Sequence, residues 1–451
     1  MLEVAEAVVR LLSGLVTIFF AGFGPLNLAS PPGSGFNRWE RLAVSFGLGA
    51  LFITLWMLAL SFMGVPFTLG WTAAPPVLAS FILWRLRERR AVLPGPASPP
   101  FQGWDWLVVG LLGLVLLYSV LRAVLYPMWT WDALSLWGFK AKLLFYRRTL
   151  DFSGFEIQTY YPNLIPLLLA YLYLWLGEVN DHLVQGVFPL WGALLLVILY
   201  QQGRRAGLTR RQALVLTAFF ATSGTVFLEH SFIAYADLPL AYYTLAAAGP
   251  VFFWLQGPSP PGSLVFAALS LAGMAWCKFE GPPLAGTILL AAALTLLWVR
   301  PHRLKTRLAQ LAGLLAGLAL GVVPWRLYCS LHHIEVGIDH VASFYPGQLL
   351  QALPYLAATL FDPEQFGVLW PAFLLAVILG GKSLFTTPRL FLPLFIAGNL
   401  AAVLLAYAIA PTSAAEFPMY VRATANRLLL HITPVVALCL ADAVASLNKQ
   451  V

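Results

Sequence analysis

Charge is what this chain has least of. Lys, Arg, Asp and Glu make up 10% of its 451 residues, against about 25% in a soluble domain. The hydrophobic share is 60% and the mean hydropathy is +0.80, so the chain reads as an all-α, polytopic integral membrane protein. Cysteine is also scarce. Cys277, Cys329 and Cys439 stand far apart, in or beside apolar runs, which leaves no disulfide framework and no metal-ligand spacing. A Gly-rich phosphate loop is missing, and so is any short-period or inverted repeat of the kind secondary transporters often show. No soluble domain is visible. The net charge of +8 reports topology and contact with anionic lipid in such a chain, not nucleic acid. The opening MLEVAEAVVR makes a poor signal peptide and a fair first span.

What is present is apolar runs. A span needs roughly 20 apolar residues. Thirteen stretches qualify: 7–28, 42–63, 66–84, 104–126, 183–201, 212–229, 231–255, 263–279, 282–299, 308–329, 366–381, 389–410 and 428–446. The run 164–177 is short and bracketed by Pro166 and Gly177. If it lies in the outer interface, the basic clusters at 38–41, 85–90, 204–211, 300–307 and 382–389 all fall on one side, which the positive-inside rule makes cytoplasmic. The amino terminus is then outside and the carboxyl terminus inside the plasma (inner) membrane. Residues 1–90 form a three-helix extension, 91–103 (AVLPGPASPPFQG) a Pro-rich cytoplasmic linker, and 104–446 the main membrane region. Its outer loops are 127–182, 330–365 and 411–427.

This topology gathers the unusual polar residues at the outer face, where charges near membrane depth are costly and usually face a cavity. Asp132 opens a stretch whose Leu134, Trp137, Ala141, Leu144 and Phe145 share one face at helical spacing, as in an amphipathic helix lying on the outer leaflet. A carboxylate there could take a proton from an acceptor hydroxyl. Lys140 and its basic neighbours, off that face, could meet a lipid phosphate. The plainer alternative makes Asp132 a helix N-cap and the bases headgroup contacts. Asp237, just inside a span after His230, is either a cavity acid or a structural partner of Lys278. Lys278 and Glu280, in CKFEGPP, could counter a phosphate and hold a sugar, or merely snorkel. Arg427 opens the last span from the outer side and could clamp a phosphate. His431, one turn deeper, reads as an ordinary core histidine. HHIEVGIDH (332–340) lacks a helical His pair with a fitting acid, so no metal is expected.

These residues carry a resemblance. Asp132 on a juxtamembrane helix, the Tyr-Tyr-Pro-Asn-Leu turn at 160–164, Tyr-Ala-Asp-Leu-Pro at 235–239 and Arg-Leu-Leu-Leu-His-Ile-Thr-Pro at 427–434 together resemble glycosyltransferases of the C superfamily (GT-C). The likeness is to a bacterial, family 39-type branch similar to protein O-mannosyltransferases and lipid A aminoarabinose transferases. It spans about residues 104–446. It implies transfer of a sugar, with inversion, from a polyprenyl-phosphate donor to a lipid, glycan or protein hydroxyl at the extracytoplasmic face. Asp132 would be the general base, Asp237 would assist substrate binding, and Arg427 and Lys278 would face the donor phosphate. Glu280, Lys140, Tyr161 and His230 would stand in the substrate site. The family's Asp-Glu pair is reduced here to Asp132-Ala133, and Tyr161 or its neighbour replaces the histidine of the Pro-Pro turn; a single acid favours metal independence and no cofactor. The competing reading is a transporter or flippase of a lipid-linked sugar.

Overall fold

The computed structural model describes residues 2–30, 36–86, 100–257, 262–301, 303–335 and 343–448. Most of the Pro-rich linker and residues 336–340 of the His-rich stretch lie outside them. The described chain is helical, without strands. Four helices come first: α1 (Leu2–Ala29), α2 (Arg38–Phe62), α3 (Leu69–Leu86) and α4 (Gly103–Leu125). A π-helical turn, Ala133–Gly138, leads into α5 (Phe139–Arg147), α6 (Leu164–Leu176), α7 (Asp181–Val184), α8 (Val187–Ala206), α9 (Arg210–Thr222) and α10 (Thr225–His230). The centre is built by α11 (Asp237–Gln256), α12 (Ser263–Cys277), α13 (Gly281–Val299) and α14 (Leu304–Leu331). The chain then runs through α15 (Pro346–Leu360), α16 (Pro363–Phe366), α17 (Leu369–Thr386), α18 (Phe391–Ala408), α19 (Phe417–Leu430) and α20 (Thr433–Leu447).

Local sequence sets the helix ends. Asn37 accepts from the backbone N–H groups of Trp39 and Glu40 and starts α2. Thr209 and Gln212 form a capping box at α9. Gly177 and Gly207 stop α6 and α8 in the left-handed conformation that glycine adopts without a Cβ penalty.

Among the described residues eight helices are long and apolar enough to cross a membrane, nine if α19 and α20, bent by 48°, count as one span. The expected thirteen are therefore not all of one kind. The run 212–229 divides at Ser223-Gly224 into α9 and the six-residue α10. The runs 263–279 and 366–381 make short apolar helices. The run 164–177 forms α6, which is buried on nearly every residue and so is covered by protein. Hydropathy cannot tell a helix walled by protein from one walled by lipid, because both are apolar all round.

Two helices lie deepest. In α11, 18 residues from Asp237 to Leu255 are buried, so its first residue is held at a fixed point inside the bundle. Helix α2 packs on it through Tyr242 Oη donating to Ala43 O (2.7 Å) and Tyr243 Oη to Gly47 O (2.6 Å). Trp276 Nε1 on α12 donates to Thr54 Oγ1 on α2 at 2.9 Å. Helices α1 and α2 touch backbone to backbone, since a Cβ on Gly49 would stand 1.8 Å from Ile18 O.

Candidate active site

Five chain segments reach one end of the bundle and meet there. Asp132 stands at the mouth of the π-helical turn, which closes on Gly138; a Cβ there would stand 2.6 Å from Ala133 O. Such turns are rare and often functional. The Asp132 carboxylate does not cap the helix. Its Oδ2 instead accepts from Arg427 Nη2 at 2.5 Å, which sets aside the N-cap alternative.

Asp237, the first residue of α11, has no exposed side-chain surface. Its Oδ1 accepts from Lys278 Nζ and from His431 Nε2, each at 2.8 Å. Its Oδ2 accepts from Arg427 Nε at 3.3 Å and Nη2 at 3.1 Å. A buried carboxylate needs such partners, and the helix N-terminus adds a favourable field. Both readings of Asp237 are thus joined: it is the partner of Lys278 and also the anchor of Arg427.

Lys278 ends α12 in an extended conformation. Its Nζ is also 3.0 Å from Glu280 Oε1. Gly281 follows because a Cβ there would lie 1.8 Å from Met274 O; Pro282 and Pro283 then start α13. Arg427 sits in the last turn of α19, and His431 in the break before α20. Being four residues apart, the two share a face. Tyr235 lies under the guanidinium, whose carbon is 4.5 Å from the ring centre. Asp132 N–H donates to Tyr235 Oη at 3.4 Å.

A cavity of about 530 Å³ adjoins this cluster. Its walls come from α13, α14, α18 and α19 and from the Tyr160–Pro162 turn, and they are mostly apolar. Glu280 and His431 carry the cluster into its lining, and Arg326 adds a cation. Tyr161 stacks on Phe279 with ring centres 5.4 Å apart. Glu280 Oε2 is buried with no hydrogen-bond partner among the described residues.

Asp132, Asp237, Lys278, Glu280 and Arg427 are therefore brought together, and Tyr161 lines the adjoining cavity. His230, buried at the end of α10, borders Tyr235 with ring centres 5.8 Å apart; its Nδ1 has no partner among the described residues. Lys140 is not where the spacing put it. It is fully buried and donates to Gln158 O at 2.6 Å, so it meets neither the cluster nor a headgroup. A π turn winds less per residue than an α-helix, so residues on either side fall out of 3.6 phase: Leu134, expected on the apolar face, is 47% exposed. Lys142 and Arg147 pair within the loop, with Asp181 and Asp151. Sequence reasoning passed over His431 and Tyr235. The four-residue step from Arg427 and the place of Tyr235 two residues before Asp237 were the available signals. No group of three or more potential metal-ligating His, Cys, Asp or Glu side chains occurs among the described residues.

No protein-family profile matches the chain, and no curated protein does. Two solved structures resemble it. One is ArnT from Cupriavidus metallidurans bound to undecaprenyl phosphate, with a TM-score of 0.55 at 15% identity over 77% of this chain and 62% of that one. The other is the same protein in the apo state, with a TM-score of 0.51 at 17% identity over the same shares. The chain thus spans less than two thirds of the length of ArnT. At such identity the likeness concerns architecture alone: the chain is an all-helical, polytopic protein that shares the fold of ArnT.

Proposed function

We propose that the chain is a membrane glycosyltransferase that takes a sugar from a polyprenyl-phosphate donor. In the step envisaged, the acceptor hydroxyl oxygen attacks the anomeric carbon from the face opposite the phosphate. The bond from that carbon to the phosphate oxygen breaks, and its electron pair leaves with the lipid phosphate. The hydroxyl proton passes to the Asp132 carboxylate. Arg427 and Lys278 stabilise the negative charge that grows on the departing phosphate. The aromatic and aliphatic walls around Tyr161 and Phe279 suit an isoprenoid tail, and Glu280 Oε2 is free to accept from a sugar hydroxyl.

The observation that carries this reading is the reach of Arg427 across two acids, one sealed and one 25% exposed, beside an apolar cavity. A cation fixed by a buried acid and offered at an accessible edge is a phosphate site with a base next to it. The fold shared with ArnT, which is known bound to undecaprenyl phosphate, agrees with a lipid-phosphate substrate.

The orientation belongs to the same proposal. Arg205, Arg210, Arg300 and Arg389 lie at the helix ends remote from the cluster. By the positive-inside rule that end is cytoplasmic, and the site then faces outward from the plasma (inner) membrane, where nucleotide sugars are scarce and lipid-linked ones are the available donors. The test is transfer of radiolabelled sugar from an undecaprenyl-phosphate donor by purified protein in lipid nanodiscs. Product formed by the native protein and lost in Asp132→Asn, with unfolding temperature unchanged, supports the assignment. Product persisting in Asp132→Asn removes Asp132 from the role of base.

A further inference from the structure

Building on that glycosyltransferase reading, we infer that Arg427 is held in turn by Asp132 and by the donor phosphate, so that binding of the phosphate uncovers the base.

The charges of the cluster favour such an exchange. The cluster holds three carboxylates, Asp132, Asp237 and Glu280, and two permanent cations, Arg427 and Lys278. With His431 protonated the two signs only balance. An anionic phosphate thus finds every cation inside the cluster already facing a carboxylate, in surroundings that magnify repulsion, while Arg326 stands outside it on the cavity wall. For the phosphate to meet a cation of the cluster itself, a carboxylate has to give way.

Geometry selects which. Lys278 has 4% of its side chain exposed and is held by sealed Asp237 as well as by Glu280, whose side chain is 32% exposed, so even with Glu280 turned away its amine is less open to an incoming phosphate than Arg427. His431 is 3% exposed and bound to Asp237. Arg427 has two kinds of contact. Nε and Nη2 fasten it to sealed Asp237, while Nη2 alone reaches Asp132. The second contact lies at the open edge, with Asp132 25% exposed and Arg427 18%. Asp132 can therefore swing away while Asp237 keeps the guanidinium in place. A phosphate oxygen takes the vacated N–H.

The exchange also orders the reaction. Without donor, Asp132 Oδ2 is committed to the guanidinium and is not presented to an acceptor hydroxyl. With the phosphate on Arg427, the carboxylate is released towards the acceptor. After transfer Asp132 carries the hydroxyl proton and has no negative charge with which to reclaim Arg427. The lipid phosphate stays until that proton leaves, and the returning carboxylate then displaces it.

A neutral side chain at position 132 removes the competitor, so loss of catalysis and gain of phosphate affinity should occur in one variant. Undecaprenyl phosphate is titrated into native protein, Asp132→Asn, Asp132→Ser and the double variant Asp132→Asn/Arg427→Gln, all in nanodiscs, with tryptophan fluorescence and thermal stabilisation as readouts. Asp132→Asn should bind about tenfold more tightly than the native protein, the gain from deleting a competing ion pair of roughly 1.4 kcal/mol. The double variant should lose that gain. Asp132→Ser answers the question if the asparagine variant does not fold. Equal or weaker binding by the neutral variants, with the native protein still binding, overturns the exchange and leaves the glycosyltransferase reading standing. A gain that survives in the double variant overturns it as well, because Arg427 would not be the cation freed. No binding by any form overturns the lipid-phosphate reading and the exchange with it.

Discussion

Both ends of this bundle carry acid–arginine pairs at depth, and the two ends differ in how the pairs are used. At one end Glu40 meets Arg205 at 2.5 Å, Asp105 meets Arg210 at 2.8 Å and Asp442 meets Arg389 at 2.5 Å. The first two pairs join helix ends, and the third ties α20 to the turn before α18. The acids there keep 10% or less of their side chain exposed, and none of the six residues lines the 530 Å³ cavity. At the other end one arginine spans two acids, one acid takes three partners (Arg427, Lys278 and His431), and a carboxylate stays 25% exposed. A buried pair is weak evidence for function and often for stability too. What marks the second end is sharing, exposure and an adjoining cavity.

The sharpest way to break the comparison is Asp237→Ala. It strands Arg427, Lys278 and His431 without their common acid. Removing one partner of a buried ion pair costs about 3–5 kcal/mol. We expect the variant to lose transfer and to melt at a clearly lower temperature, measured by nanodisc thermal unfolding beside the activity assay. Native-like melting would mean that Asp237 is not the anchor described here. Asp132→Asn comes next and separates the two properties. Its partner Arg427 stays bound to Asp237, so folding should persist while transfer falls about 10²- to 10⁴-fold, the usual worth of a positioned base. A parallel fall in melting temperature would make Asp132 structural, like the acids at the far end.

Glu40→Gln is the control from that far end. It leaves Arg205 facing a neutral amide, and the unfolding temperature should fall by several degrees. Transfer per folded molecule should stay within about twofold of native, because Glu40 and the cluster lie at opposite ends of the helices. A large change in turnover with normal folding would mean that the two ends communicate, and the contrast drawn above would fail.

How much of this could be read from the sequence follows the same division. The membrane class, the helical fold and the acids and bases of the cluster were legible because charge is so rare here that each buried instance stands out. Asp132, Asp237, Lys278, Glu280 and Arg427 are such instances. The number of spans was less legible, because hydropathy did not show that 212–229 divides at Ser223-Gly224 or that 263–279 and 366–381 form only short helices. Lys140 was misjudged because a π turn has no sequence signature; Leu134 leaves the expected apolar face and Lys140 joins the buried side, while Ala141, Leu144 and Phe145 stay buried as their spacing predicts. His431 was passed over because a histidine on an apolar helix is ordinarily a satisfied core residue. Here its partner is the acid at the hub, a fact that only the approach of α11 to the α19–α20 break reveals.

Lys140 supplies the finest test, since it is a buried cation in the same loop as Asp132 yet outside the cluster. Its amine meets the Gln158 carbonyl and lies 5.3 Å from the Phe152 ring centre. Burial pushes its pKa down from the usual 10.5 to about 7. Between those values the unfolded chain holds a proton that the folded chain does not. Stability from this group is therefore complete above about 10.5, declines as pH falls across the window, and is lost below about 7. The native protein should melt a few degrees higher at the alkaline side of that window than at pH 7 on this account. Lys140→Met keeps the apolar stem, removes the titrating amine and should flatten the rise. Transfer by the variant should remain close to native at pH 7, because the amine touches no member of the cluster. If the rise survives in Lys140→Met, another group carries it; if transfer collapses while the fold is kept, Lys140 belongs with Arg427 and Lys278 after all, and the boundary drawn around the cluster is too narrow.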